Sequence, residues 1–236
     1  ILLIRINKNI FINLNDAGPS HTRFIKKVIK PYKRKFLLSL SGWGDADMIN
    51  FYDHNNQFIE PLAAKKHPVG DYLSLLAKLF SANYVIPFSS FHEYQREDSV
   101  WANKYVTPMD EYKNGIHDDI NFVEPFALIN CDNNDDIKSL KLKKIKLKIK
   151  NSIDFEDNWS DNLDKNDNKI ISEYFQKFEE LKDNIGFINF IVGKKDFNLK
   201  FNGPSSKGIS FELPRSSLLK ACSYNVFDDL LIGNFM

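Results

Sequence analysis

Apolar residues at the start of the chain alternate with polar ones or form short runs. ILLIRI and NIFINLN lie on either side of the polar triplet NKN, a pattern typical of a hairpin of two strands. FLLSLSG and NYVIPF are almost entirely apolar, which is typical of strands that are buried on both faces. The pattern therefore predicts four strands in this part of the chain.

Two segments between these strands have apolar residues at helical spacing. The first, RFIKKVIK, is followed by Pro31, which ends the helix. In the second, PVGDYLSLLAKLF, we expect a buried face made of Tyr72, Leu75, Leu76 and Leu79. The order β-β-α-β-α-β with short loops predicts a layered α/β domain, in which ligands bind beyond the carboxyl ends of the strands.

The composition of the sequence changes after about residue 108, where Asn, Asp and Lys become frequent. LKLKKIKLKIK nearly alternates and predicts a strand with one solvated face, and acidic runs on both sides argue against a nucleic-acid patch. IISEYFQKFEELKDN predicts one amphipathic helix, and IGFINFIVG, DFNLKFNG and ISFELP predict three strands before one or two closing helices. We therefore divide the chain into an α/β domain over residues 1–115 and an α+β module over residues 116–236. For that module we expect a structural or dimer-forming role, so a homodimer is one expected assembly.

The composition is that of an ordinary globular protein of 236 residues with a formal net charge of +1. This balance points to neither nucleic acid nor an acidic membrane as partner, and no apolar run reaches the ~18 residues of a transmembrane helix. The two cysteines have no motif spacing, which favours free thiols in a reducing cytoplasm. Because the chain opens in mid-strand without Met, we interpret it as a fragment.

Two polar residues follow predicted strands and are candidates for a site at one sheet edge. Asp16 follows FINLN and precedes Gly18 and Pro19, so it is either a turn former or helix cap, or a carboxylate that holds a divalent metal. His92 follows YVIP and a serine pair, so it is either a hydrogen-bonded structural residue or a site residue. Together, at the ends of two strands in one layer, they favour a shared site.

Two further residues could bind a substrate. Trp43, between Gly42 and Gly44 at another strand end, could wall a substrate cavity or belong to the core. Arg96 could bind an anionic substrate through its guanidinium, or could form a salt bridge to Glu93 or Asp98.

The stretches FINLNDAG, LLSLSGWG and YVIPFSSFHEYQREDSVWANKY, with helices between them, resemble the second half of the metallo-β-lactamase fold. The most similar branch is the one that contains CMP-N-acetylneuraminate hydroxylase and the ascorbate-phosphate lactonases. The resemblance covers about residues 1–115 and implies an αββα sandwich with a metal site at one edge. It implies that Asp16 bridges two metals and that His92 completes the shell of the second.

The HxHxDH signature of that family does not occur in these residues, and neither do the Rieske cluster ligands of the hydroxylase. The resemblance implies a metal-dependent hydrolase of an anionic small molecule, with zinc, manganese or iron as the ion, and with further ligands upstream. The alternative is a non-catalytic α/β scaffold or binding protein, in which Asp16 and His92 are only turn and loop residues.

Overall fold

A computed structural model of the chain describes residues 1–236 except 16, 66, 89–90, 133–135, 142 and 144–145. The chain forms two compact units that interleave along the sequence. The first unit comprises residues 1–44, 65–92 and 105–146, and the second comprises residues 45–64, 93–104 and 147–236. Segments on both sides of residue 115 thus belong to the second unit, and the domain division at that residue stays a prediction.

The described residues combine strands and helices, so the predicted mixed α/β class is confirmed. The strands are β1 (Leu2–Ile6), β2 (Asn9–Asn15), β3 (Arg34–Leu40), β4 (Phe51–Tyr52), β5 (Phe58–Ile59), β6 (Tyr84–Phe88), β7 (Asn121–Phe122), β8 (Ala127–Ile129), β9 (Ile137–Ser139), β10 (Phe187–Val192), β11 (Lys195–Lys200) and β12 (Gly208–Glu212). The α-helices are α1 (Thr22–Ile29), α2 (Val69–Phe80), α3 (Lys165–Phe175), α4 (Glu179–Asn184), α5 (Arg215–Tyr224) and α6 (Phe227–Ile232).

A five-stranded sheet in the order β1-β2-β3-β6-β7 forms the centre of the first unit. β1 and β2 make the predicted antiparallel hairpin, whose turn places Asn7 at a φ of 51°. β2, β3, β6 and β7 run parallel to one another. Helix α1 lies between β2 and β3 in the chain, and α2 lies between β3 and β6. The four parallel strands therefore present their carboxyl ends at one edge of the sheet.

One face of this sheet is covered by the two helices. Ile12 of β2, Leu37 of β3 and Val85 of β6 lie in neighbouring strands and are fully buried. They pack in one cluster with Ile29 of α1 and Leu73 of α2. This cluster is the core of the first unit and fixes the sheet against the helices.

The opposite face carries a ladder of aromatic rings. The rings of Phe11 and Phe36 stack at 4.7 Å, and those of Phe36 and Tyr84 stack at 4.5 Å. The guanidinium of Arg34 lies 5.0 Å from the centre of the Phe36 ring, a cation–π contact. The β8–β9 hairpin packs against this cluster through Ala127, Ile129 and Ile137.

The predicted buried face of α2 is wrong in three of its four residues. Tyr72, Leu75 and Leu79 are exposed, whereas Leu76 is buried as expected. The helix instead buries Val69, Leu73, Ala77 and Phe80. Because α2 carries large apolar residues on more than one side, its spacing alone does not decide which side faces the sheet.

The second unit is built on a three-stranded sheet in the order β11-β10-β12. β10 buries Ile188, Phe190 and Val192 in a core with residues of helices α3, α5 and α6. These strands and the two closing helices were predicted, but the single helix predicted before them is two helices, α3 and α4. The break falls at Gln176–Phe178, where the Phe175, Phe178 and Tyr174 rings pack on one another.

The strand predicted from LKLKKIKLKIK is wrong for the described part of that segment. Apart from an isolated bridge between Lys150 and Arg96, its described residues belong to no strand. Residues 142, 144 and 145 lie outside the described residues. Among the helices that the structure describes, none has the length and apolar character needed to cross a membrane.

Candidate functional site

The register of the central sheet brings the predicted site stretches to one edge. Asn15 of β2 lies opposite Ser39 of β3, and Ser39 lies opposite Pro87 of β6. Since these strands are parallel, their carboxyl ends lie side by side at one edge of the sheet. The stretches after Asn15, after Leu40 and after Phe88 therefore start from neighbouring positions.

The end of β2 departs from a regular strand. The pairing with β3 shifts between Asn13 and Asn15, and Asn15 has a φ of 45°. The side-chain oxygen of Asn13 accepts a hydrogen bond of 2.9 Å from the backbone N–H of Asn15. Such Asn side chains stabilise left-handed turns, so the chain changes direction directly before Asp16. Asp16 itself lies outside the described residues.

His92 lies four positions beyond the end of β6 and is half-buried. Its Nε2 atom is shielded from solvent. Ser89 and Ser90, which connect it to the strand, lie outside the described residues. In the sheet, β6, which precedes His92, and β2, which leads to Asp16, are separated by β3.

A buried serine at the same edge was missed in the sequence. Ser41 follows β3, is 2% exposed, and its Oγ has no hydrogen-bond partner among the described residues. Buried hydroxyls normally have a hydrogen-bond partner, so the Ser41 hydroxyl is an exception at this edge of the sheet. The signal was present in LLSLSG, because a serine in an apolar buried strand is unusual.

Metal donors do not cluster within the described part of the chain. No group of three or more His, Cys, Asp or Glu side chains there is arranged to hold an ion. A structural zinc ion takes four protein donors and a catalytic one takes three plus water. The two predicted ligands, Asp16 and His92, would therefore not complete such a site by themselves.

Trp43 lines a cavity of about 130 Å³ in the first unit, directly after β3. Tyr105 and Val69, both 8% exposed, are further parts of its wall. The lining residues with polar side chains are His67, Thr107, Glu111 and Asn114. Trp43 thus lies in the wall of a cavity, and its role in binding a substrate stays a prediction.

The turn beside this cavity is tightly held. Gly42 has a φ of 83°, and a Cβ at this position would lie 2.7 Å from the hydroxyl of Tyr112. That hydroxyl donates a hydrogen bond of 3.3 Å to the carbonyl oxygen of Ser41. Burial raises the pKa of Tyr112 to about 12, so the donor stays protonated at neutral pH.

Arg96 belongs to an ion-pair network of the second unit. Its Nε and Nη2 atoms donate to the Asp98 carboxylate at 2.7 and 3.0 Å, and Nη1 donates to Asp157 at 2.6 Å. The guanidinium carbon lies 3.9 Å from the centre of the Phe235 ring. Burial disfavours the charge, but the hydrogen bonds to Asp98 and Asp157 outweigh it and raise the pKa of Arg96.

The salt bridge between Arg96 and Asp98, one of the two sequence alternatives, is thus present. Each nitrogen of the guanidinium already has a carboxylate partner. The role of Arg96 in binding an anionic substrate stays a prediction, and it would require exchange of these partners.

Comparisons of the chain with family models, with curated proteins and with solved structures each found no match.

Proposed function

We propose that this chain forms part of a metal-dependent hydrolase of the metallo-β-lactamase fold, which acts on an anionic small molecule. The observation that carries the proposal is the register of β2, β3 and β6. It aligns Asn15, Ser39 and Pro87, so that the stretches with Asp16 and His92 leave the sheet at one edge. Ligand sites of parallel α/β sheets lie at such an edge.

The second face of the sheet supports the proposed αββα sandwich. Leu2, Ile4 and Ile6 of the edge strand β1 are 56%, 44% and 43% exposed. Ile4 lies opposite Phe11, which belongs to the aromatic ladder, so this apolar stripe continues the face that the β8–β9 hairpin covers. A second sheet packed on this face would bury the stripe, as in sheet-on-sheet packing.

The donor types of the two predicted ligands suit zinc, with manganese or iron as alternatives. A neutral imidazole, such as that of His92, and a carboxylate, such as that of Asp16, are both ligands of these ions. The proposal requires further ligands from outside the described residues. When bound, the metal would supply an acidified water as nucleophile. His92 and Asp16 would hold the ion.

Metal analysis tests the proposal on the protein that contains this chain. Elemental analysis by mass spectrometry should find stoichiometric zinc, manganese or iron, at about two ions per chain in a dinuclear site. The content should fall by half or more in Asp16→Ala and in His92→Ala. Asp118→Ala and His54→Ala, which change exposed residues of the same types, serve as matched controls. Unchanged metal content in both site variants would sink the proposal.

The cavity beside Trp43 favours a second candidate, a non-catalytic α/β protein that binds a small molecule. Its wall is already formed by described residues, whereas a three-donor metal group is not found among them. Retention of a ligand by metal-free protein, without hydrolysis of any phosphate ester or lactone tried, would favour this candidate.

A further inference from the structure

The wall of the cavity in the first unit is mostly aromatic and aliphatic, with His67, Thr107, Glu111 and Asn114 as its polar residues. Two aromatic residues, Trp43 and Tyr105, line it, together with the aliphatic residues Pro68, Val69, Val106 and Pro108. Among the described residues of the wall, Glu111 carries the single carboxylate, and no lysine or arginine contributes. We propose that this cavity binds a small organic cation, the head group of an alkylammonium compound.

The charge of the wall favours a cation over an anion. Val69, the first residue of α2, also lines the cavity, and the amino end of a helix carries a partial positive charge of about half a unit. The backbone N–H of Gly70 is already used, since it donates to the carbonyl oxygen of Asn114 at 2.9 Å. Glu111 is exposed, and its full negative charge is larger than the partial charge of the helix end.

The aromatic wall adds a specific attraction. A cation over the face of tryptophan or tyrosine gains about 0.5–2 kcal/mol, most where water is excluded. Trp43 is half-buried and Tyr105 is buried, so both rings offer partly desolvated surface. A neutral ligand of the same shape would keep the apolar contacts and lose this attraction as well as that of Glu111.

The size of the cavity limits the ligand. A volume of about 130 Å³ equals the share of about four water molecules in liquid water. It accommodates a head group such as trimethylammonium rather than a drug-sized molecule, since pockets for the latter measure ~300 Å³ or more.

The wall is also rigid on one side. A Cβ at Gly42 would lie 3.3 Å from Oγ1 of Thr107, which lines the cavity, so the backbone of the turn lies directly against this residue. A pre-formed wall reduces the entropy lost on binding.

The test compares choline with 3,3-dimethylbutan-1-ol, a neutral molecule of the same shape, by calorimetric titration of the full chain at about pH 8, where histidine is ordinarily neutral. We expect saturable binding of choline at one site and binding at least five-fold weaker for the neutral alcohol. Glu111→Gln and Trp43→Leu should each weaken choline binding at least five-fold, and Trp43→Phe should weaken it less. Glu124→Gln removes the same charge from an exposed position in the same unit and should leave choline binding unchanged.

Three results would overturn the inference: equal binding of the alcohol and choline, unchanged binding by Glu111→Gln, or tighter binding of inorganic phosphate or glucose than of choline. Thermal unfolding of each variant verifies that it is folded. Metal content measured on the same samples separates this inference from the proposed hydrolase, because cavity binding requires no ion. Choline binding by metal-free chain would support this inference, while the hydrolase proposal is decided by the metal content of the protein that contains the chain.

Discussion

Arg215 and Asp167 form a two-point ion pair that joins helix α5 to the first turn of α3. Nε of Arg215 donates to Oδ2 of Asp167 at 2.6 Å, and Nη2 donates to Oδ1 at 3.0 Å. The same carboxylate accepts a hydrogen bond of 2.9 Å from the backbone N–H of Asp164, which completes a capping box. The side chain of Asp167 is 3% exposed, so these partners replace its water.

This arrangement predicts a dependence of stability on pH. Burial alone would raise the pKa of Asp167, but the hydrogen bonds from Arg215 and Asp164 outweigh it, and the pKa lies below the ordinary value of 3.8. A lowered pKa in the folded state means that the stabilisation is complete above the unfolded-state pKa. It is lost as the pH falls through the folded-state pKa.

Asp167→Asn should therefore lower the free energy of unfolding most at neutral pH, and its difference from the wild type should shrink as the pH falls below about 4. Urea unfolding from about pH 7 to about pH 3, followed by circular dichroism, measures the difference. Asp183→Asn, an exposed change on α4, is the control. A difference that stays constant over this range would contradict the role given to Asp167.

Asp157 is expected to be a main anchor of the second unit. Its carboxylate accepts hydrogen bonds from Nη1 of Arg96 at 2.6 Å and from the backbone N–H and hydroxyl of Ser217 at 2.9 and 2.5 Å. The side chains of Asp157 and Arg96 are 1% and 11% exposed. Breaking a buried ion pair from one side costs ~3–5 kcal/mol, because the other charge stays buried.

Asp157→Ala should thus lower the free energy of unfolding by about 3 kcal/mol or more, measured by chemical unfolding. Its neighbour Glu156 provides the comparison, since its ion pair with Lys220 lies in solvent, where both side chains are more than half exposed. Glu156→Ala should change stability little. Equal losses in the two variants would show that burial does not determine the strength of these pairs here.

The two cysteines should differ sharply in reactivity. Neither forms a disulfide, and Cys222 is buried in the core of the second unit whereas Cys131 is partly exposed. Burial raises the pKa of the Cys222 thiol to about 12, so the reactive thiolate is rare at neutral pH.

A thiol reagent added to the native protein at about pH 8 should label one cysteine per chain rapidly and the second only after unfolding. Cys131→Ser should abolish the fast reaction, and Cys222→Ser should leave it unchanged. Rapid labelling of both thiols in the native state would argue against the packing of α5.

The buried faces of the helices illustrate where reading the sequence fails. In α1 the helical spacing predicts that Phe24, Ile25, Val28 and Ile29 pack together. Ile25 and Ile29 are buried, but Phe24 and Val28 are 67% and 39% exposed. Several exposed residues of α1 and α2 are as apolar as the buried ones, so apolar character alone does not show which side of the helix packs on the sheet.

The segment LKLKKIKLKIK shows that a strand pattern in the sequence also fails to predict structure without a partner strand. Its alternation is the pattern of a half-buried strand, yet a strand also needs a neighbour whose backbone completes its hydrogen bonds. In the described part of the segment, Leu140 donates one backbone hydrogen bond to Phe126, and Lys150 forms an isolated bridge with Arg96 through hydrogen bonds to Gln95 and Glu97. These contacts at its two ends do not make a strand.

By itself the sequence determined the features that depend on neighbours along the chain. The β1–β2 hairpin and the strands β3, β6 and β10 all depend on local spacing. The tertiary structure decided what depends on distant residues: the alignment of Asn15, Ser39 and Pro87, the cavity between Trp43 and Glu111, and the second partner of Arg96, 61 positions away at Asp157. Spacing along a chain encodes which residues share a face, whereas the partner that covers a face or neutralises a charge is chosen by packing of the whole fold.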